Sequence, residues 1–298
     1  MKKLKTLAEK PIIGGVVKKA MTSLASNDAK VISRHFSQYL RPQIATDDTL
    51  KHEVYRLRHQ VYCEELHFED IKDSYEECDE FDARAIHCFV RHLSSKNLAG
   101  TVRLIGSNGP EQLLPLEQFC SDAITHPELS PANFPRESIC EISRLAVPEN
   151  FRKRSIDQFK GAATGAINEQ VFSETELRCF PYIAICLYLA ATAMAMQTKR
   201  YHGFVMMEPR LARSLTFVGI QFQPIGKIIE FHGKRAPYYI DARQLRNNLS
   251  SGYLKLLESV EHDLILSGGL KSSHTGQNHT ASESRAQSVK YRQQPSIN

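Results

Sequence analysis

Two short runs of this 298-residue chain carry residue types that do chemistry when they are brought together. The first is Glu141-Ile142-Ser143-Arg144-Leu145-Ala146-Val147-Pro148. Alternation with a period of two places Ile139, Glu141, Ser143, Leu145 and Val147 on one face of an extended strand, and Cys140, Ile142, Arg144 and Ala146 on the other. Glu141 and Ser143 then project together, and Arg144 projects through the sheet. Pro148 ends the strand, because it cannot donate to a ladder. A basic loop, Phe151-Arg152-Lys153-Arg154, follows at once. A carboxylate inside a strand that ends at a cationic loop suits a proton-transfer group beside an anion-binding mouth. A half-buried strand with a structural ion pair through Arg144 would carry the same residues, and both readings stand at this point.

The second run is Glu77-Cys78-Asp79-Glu80-Phe81-Asp82. Its acids at E-x-D-x-x-D spacing can bind a divalent cation, hold a positively charged amine, or brace arginines. Calcium is disfavoured, because the run lacks the twelve-residue spacing and the glycine turn of an EF-hand. Bracing is the cheapest reading: an unpaired buried charge costs several kcal/mol, and Arg58, Arg103 and Arg144 are available as partners. No metal site is assigned. The seven cysteines, at 63, 78, 88, 120, 140, 179 and 186, show no CxxC pair and no histidine-spaced cluster, so they read as reduced thiols.

The elements that must position these groups follow from periodicity. Thr46-Asp47-Asp48 starts a helix whose stripe is Leu50, Val54, Leu57 and Val61, with Arg58 beside it. Glu64 to Asp82 is an acidic irregular loop. Ala85–Arg91 and Ala99–Ile105 read as antiparallel strands turned at Ser94–Asn97, with Arg103 facing away from Val102 and Leu104. Residues 106–135 carry five prolines and a short helix near Leu116–Phe119. The central strand starts near Ser138. Residues 155–179 are polar and give no clear pattern. From Pro181 a helix carries the stripe Ile183, Leu187, Ala191 and Met194; it suits either a wall of a lipid pocket or simple core. Gly203–Met207 is a buried strand, Pro209 opens a helix closed by Gly219, and Gln221–Glu230 with Ala236–Ile240 makes a last pair of strands. The expected fold class is α+β with one mixed sheet.

Bulk features narrow the class. An apolar fraction of 42% supports a packed core. The net charge of +5 is unevenly spread: residues 64–82 are acidic, whereas residues 151–250 carry 14 Lys and Arg against 7 Asp and Glu. Basic residues without interleaved aromatics or a reading motif exclude nucleic acid as a partner. No stretch approaches the roughly 20 apolar residues of a membrane span. The expected organisation is a basic, weakly amphipathic extension over 1–45 with a boundary at Pro42, a domain over 46–266, and a Ser-, Gln- and His-rich disordered tail over 267–298. The extension leaves room for peripheral membrane contact.

The element order is similar to the GNAT acyltransferase fold. The series Arg58-x-x-x-Tyr62, Glu77-x-Asp79-x-Phe81-Asp82, Arg103-Leu104 and Glu141-x-Ser143-Arg144 resembles the acyl-homoserine lactone (autoinducer) synthases of that superfamily. A sister group is matched more closely: the N-acyl amino acid synthases and the acyltransferases associated with PEP-CTERM/exosortase systems. Tyr55 to Glu65, Ser143 to Val147, Met207-Glu208-Pro209-x-Leu211-Ala212-Arg213 and Phe231 to Tyr238 carry that resemblance, which covers residues 48–242. The lactone synthases place a Trp shortly after the first helix. Here Leu66-His67-Phe68 stands there and the chain has no Trp, which favours a different amine acceptor.

The resemblance implies transfer of a fatty acyl chain from acyl carrier protein, or sometimes acyl-CoA, to a small amine, with no tightly bound cofactor beyond the donor's own phosphopantetheine. The reduced thiols and the lack of a membrane span point to a cytoplasmic location, with the basic N-terminal segment available for contact with the inner membrane. Glu141 is the first candidate for the base and Glu77 the second, with Ser143 positioning a water or the amine. Backbone N–H groups near Leu145 and Val147 would serve the oxyanion. Asp79 and Asp82 would hold Arg58, Arg103 or Arg144, or the substrate ammonium. Residues 150–155 hold no glycine, so Arg152, Lys153 and Arg154 suit an acidic carrier protein better than a diphosphate nest. The acyl chain would lie along Ile183, Leu187 and Met194. A lactone synthase, and a silent GNAT-like module that binds acyl chains or a protein, are the alternatives.

Overall fold

The computed structural model describes residues 36–152 and 182–268, together with Glu176 and Cys179. Lys153 and Arg154 lie outside the described residues, as do positions 1–35 and the tail beyond Gly268.

Residues Leu40–Ile44 form strand β1, which pairs antiparallel with the next strand in the chain and so belongs to the sheet rather than to an appendage. Pro42 lies inside β1 and marks no boundary. It is tolerated there because β1 is an edge strand with a partner on one side only. Phe36 and Leu40 are buried in the main core. Helix α1, Asp48–His59, begins where the sequence suggests: the Asp47 carboxylate accepts the Leu50 N–H at 2.9 Å and satisfies one free donor of the first turn. Its stripe continues through a widened π-helical turn, Gln60–Glu65, and Val54, Leu57 and Val61 are buried.

A 3₁₀ turn over Glu80–Arg84 leads into β2, Ala85–His92, and β3, Leu98–Gly106. Helix α2, Pro115–Cys120, precedes the central strand β4, Ile139–Ala146. After a single turn at Glu149–Arg152 come α3, Ile183–Gln197, then β5, His202–Met207, and α4, Pro209–Thr216. Gly219 follows with φ +95°, the left-handed conformation that favours glycine after a helix. The expected strand over 221–230 is instead two short pieces, β6, Gln223–Pro224, and β7, Ile229–Glu230. Both pair with β8, Lys234–Asp241. Helix α5, Ser251–Leu266, closes the described fold. No helix among the described residues is long and apolar enough to cross a membrane.

The sheet order is β1-β2-β3-β4-β5-β8-β6, with β7 alongside β8. All neighbours are antiparallel except β4 and β5. Side chains alternate between two faces. Val90, Val102, Leu104 and Ile142 pack under α3 and α5. Phe89 and Ile105 face the other way, toward α1 and the segment holding α2.

Two irregularities of β4 shape the second face. Glu141 pairs with Phe204 of β5, but no later pair follows although β5 runs on to Met207, so the two strands part above Glu141. On the other side, Thr101 pairs with Ala146 and Arg103 with Ser143, so β4 carries one residue more than β3 between the same rungs. This is a β-bulge, and Arg144 sits in it with φ +50°.

Candidate active site

A cavity of about 490 Å³ opens on the second face, between the 3₁₀ turn, α2, the upper half of β4 and the β7–β8 hairpin. Glu141, Ser143, Arg103, Arg144 and Asp79 are on its wall, together with Tyr62, Phe68 and Met206. Straight alternation would send Arg144 to the opposite face from Glu141 and Ser143. The bulge overturns that expectation, because the extra residue turns Arg144 back to the acid side, where it ion-pairs with Glu69, Glu77 and Asp79.

The acids and arginines form one network. Arg58 is fully buried; its Nε donates to Glu77 Oε2 at 2.5 Å and its Nη1 to Asp82 Oδ1 at 2.7 Å. Arg103 Nη1 donates to Asp79 Oδ1 at 2.6 Å and to Asp82 Oδ1 at 2.7 Å. Arg144 Nε donates to Glu77 Oε1 at 3.2 Å. The acidic run is locked by its own backbone as well. Asp82 accepts the Asp79 N–H at 2.8 Å, and Asp79 accepts the Phe81 N–H at 3.0 Å, a capping box that starts the 3₁₀ turn. Burial pushes the Asp82 and Glu77 carboxyls upward, but the guanidinium groups outweigh it and hold both below the usual carboxylate range. Both Glu77 oxygens accept from arginines. That makes Glu77 a weak proton acceptor and suits it to fixing Arg58 and Arg144 rather than to the second base role.

Glu141 is in the opposite state. It is 3% exposed and has one hydrogen bond, from the Leu116 N–H to Oε2 at 2.8 Å. Burial pushes its carboxyl up to about 8, against the opposing pull of that N–H, Arg103 and Arg144. A carboxyl that gains and loses a proton near neutrality, on a cavity wall, can serve as acid or base. Ser143 Oγ accepts from Arg103 Nε at 3.1 Å, so the hydroxyl proton stays free to donate into the cavity.

The remaining sequence candidates are less central. The Leu145 carbonyl accepts from Tyr62 Oη at 2.9 Å, which pins the bulge. Val147 packs in the main core. Arg152 ion-pairs with Glu65. Ile183, Leu187 and Met194 do not line the cavity. They are fully buried on the other face of the sheet, where α3 is apolar all round and lies between the strands and α5. The acyl wall expected along α3 is therefore core, and the cavity's apolar lining comes from Phe68, Phe81, Leu116, Phe119 and Met206. Sequence reasoning did not single out Glu69, one of several acids in a run, or Arg235, visible only inside the Phe231–Tyr238 match. A cation followed by an apolar strand was the one available signal for Arg235.

Residues 57–160 match the family model described as the acetyltransferase (GNAT) domain. No curated protein matches the chain. Among solved structures the chain is similar to the AHL synthase LasI, at 17% identity and TM-score 0.47, covering 71% of this chain and 94% of that one. It is similar to BjaI, described as a CoA-dependent acyl-homoserine lactone synthase with SAM and isopentyl-CoA, at 15% identity and TM-score 0.49, covering 75% and 90%. It is also similar to FeeM, an N-acyl amino acid synthase from uncultured soil microbes, at 13% identity and TM-score 0.47, covering 72% and 97%. The matched domain, the mixed sheet and the parting of β4 from β5 together give this chain a GNAT-like α+β fold.

Proposed function

We propose that this protein is an N-acyltransferase that moves a fatty acyl chain from acyl carrier protein, or from acyl-CoA, to the amine of an amino acid or a related small molecule. The observation that carries the reading is Glu141: a buried, unpaired carboxyl poised near pH 8 on the wall of a half-apolar cavity, beside the gap between β4 and β5. An α-ammonium has a pKa of about 7.7–8.0, so proton transfer to Glu141 is close to thermoneutral.

The reaction then runs as follows. The acceptor ammonium first loses one proton to solvent by way of Glu141; the neutral nitrogen then attacks the thioester carbonyl carbon and gives up a second N–H proton to the Glu141 carboxylate, directly or through a water. The oxygen gains negative charge and is met by the Ser143 Oγ–H and by backbone N–H groups of the bulged β4 segment near Leu145–Val147. The C–S bond breaks, and the thiolate leaves with a proton returned from Glu141. Amide and free thiol are the products. Arg58, Arg103 and Arg144, held by Glu77, Asp79 and Asp82, fix Ser143 and the acidic run without taking part in proton transfer. The glycine-free run Arg152-Lys153-Arg154 supports carrier protein as the donor, since it offers point charges to an acidic helix.

The test is purified protein with dodecanoyl carrier protein or dodecanoyl-CoA and each amino acid in turn, following thiol release and product mass. Amine-dependent thiol release with an N-dodecanoyl product is the expected result. Folded protein that releases no thiol above background with any pair would end the proposal. Charge reversal at residues 152–154 should weaken use of the carrier-protein donor, and an unchanged response would remove that partner.

A further inference from the structure

Three arginines stand on the cavity wall: Arg103, Arg144 and Arg235. The first two are answered by carboxylates of the protein itself. Arg235, on β8 opposite Ile229, is not. Its guanidinium makes no hydrogen bond or ion pair among the described residues, and its Nε is buried without a partner. It is nevertheless held in place, with its guanidinium carbon 5.6 Å from the centre of the Phe68 ring. Stacking on one face leaves the in-plane N–H donors free, the arrangement that grips a carboxylate with two parallel bonds. Glu69, another acid on the cavity wall, is already engaged by Arg144 Nη2 at 3.2 Å and lies 4.0 Å from His232 Nε2.

We infer that Arg235 is the subsite for an anionic group of the ligand, and that this group is the carboxylate of the amine acceptor. The inference rests on the N-acyltransferase reading above. Among the described residues the cavity wall holds one carboxyl without a cationic partner, Glu141, and one guanidinium without a counter-ion, Arg235. A zwitterionic acceptor answers both, its ammonium meeting Glu141 and its carboxylate meeting Arg235. A simple amine or an amino ester would answer only the first. The acyl donor is neutral at its thioester and carries its phosphate at the far end of the pantetheine arm, away from the reacting carbon. Arg235 is therefore a positioning and specificity residue, not a proton carrier.

The test compares wild type with Arg235→Met and Arg235→Lys, after melting curves confirm that all three are folded. Acceptors are the best amino acid from the panel and its methyl ester; donors are dodecanoyl-CoA and the phosphate-free dodecanoyl thioester of N-acetylcysteamine. Arg235→Met should raise KM for the amino acid at least about tenfold, as expected for loss of a charge-assisted pair. It should leave the methyl ester unchanged with either donor, and Arg235→Lys should recover part of the loss. Equal losses for acid and ester would overturn the inference. So would a loss confined to the phosphate-bearing donor, which would assign Arg235 to the donor phosphate. Calorimetry with N-dodecanoylglycine and its methyl ester supplies a readout without turnover. Wild type should bind the acid more tightly than the ester, and Arg235→Met should erase the difference. If no amino acid is acylated but this preference is present and depends on Arg235, the acyl-transfer reading fails and the subsite stands. If wild type binds acid and ester alike, the subsite falls.

Discussion

Replacing Glu141 with Gln should make the protein more stable while removing its activity, and the gain should grow with pH. In the folded chain the Glu141 carboxyl sits at about 8, against an ordinary value of 4.5, because burial disfavours its charged form. The sign follows from linkage. An acid whose folded value is raised takes up a proton on folding where the pH lies between its unfolded and folded values. Stability is then undiminished below about pH 4.5, falls as pH rises toward about 8, and levels off above it. At about 1.4 kcal/mol for each tenfold change in proton affinity, the cost is about 1 kcal/mol at pH 5 and about 4 kcal/mol at pH 8, as upper bounds. Gln removes that cost at every pH and keeps an oxygen for the Leu116 N–H, which now donates to Glu141 at 2.8 Å. Urea unfolding of both proteins at pH 5 and pH 8 measures the difference between them. The reasoning predicts a gap that widens by up to about 3 kcal/mol between the two pH values, and a melting shift of several degrees in the same direction. A gap that stays flat with pH, or a Gln variant less stable than wild type at pH 8, would refute the assignment of a neutral, desolvated carboxyl at this position.

Other consequences test different parts of the structure. The kcat/KM of the wild type should rise with pH through the neutral range and level off above about pH 8, reporting Glu141 together with the acceptor amine; Gln at 141 should lower it by a factor on the order of 10² to 10⁴. Asp82→Ala leaves Arg58 and Arg103 buried without their shared partner and should cost about 3–5 kcal/mol in urea unfolding. The same pair makes the wild type acid-sensitive. A carboxyl held below its usual range contributes stability that is present above its unfolded value and lost as pH falls through lower values, so the Asp82 contribution should fade below about pH 4. Leu187→Ala should cost about 2–5 kcal/mol without changing the preferred acyl length, whereas Met206→Phe, in the cavity, should shorten it. A change of chain preference in the first and not the second would return the acyl wall to α3.

The strands and helices that display their buried face as a simple period were legible from sequence. The stripe of α1, the β2–β3 hairpin and the body of β4 all lie close to where periodicity places them. What periodicity cannot report is a one-residue register change. Arg144 reads as pointing through the sheet because nothing in Glu141–Pro148 signals a bulge; the extra residue is stabilised from outside, by Tyr62 Oη on the Leu145 carbonyl and by the acids that draw Arg144 across. Pro42 misled for a similar reason, since proline argues against a central strand but not against an edge. Met- and Ala-rich α3 looks equally like a lipid wall and like core, and only the position of α5 decides between them. The acid–arginine set could be assembled from spacing because buried charges must find partners. Arg235 could not, because its significance lies in having none among the described residues.

Mass spectrometry of lipid extracts from a host overexpressing this chain, beside the same host carrying Glu141→Gln, tests the central claim most directly. The account predicts a new N-acyl amino acid with the wild type that is absent with the variant. Equal amounts of product from both would contradict the role of Glu141, and no new acylated amine from soluble, folded wild type supplied with carrier protein would contradict acyl transfer itself.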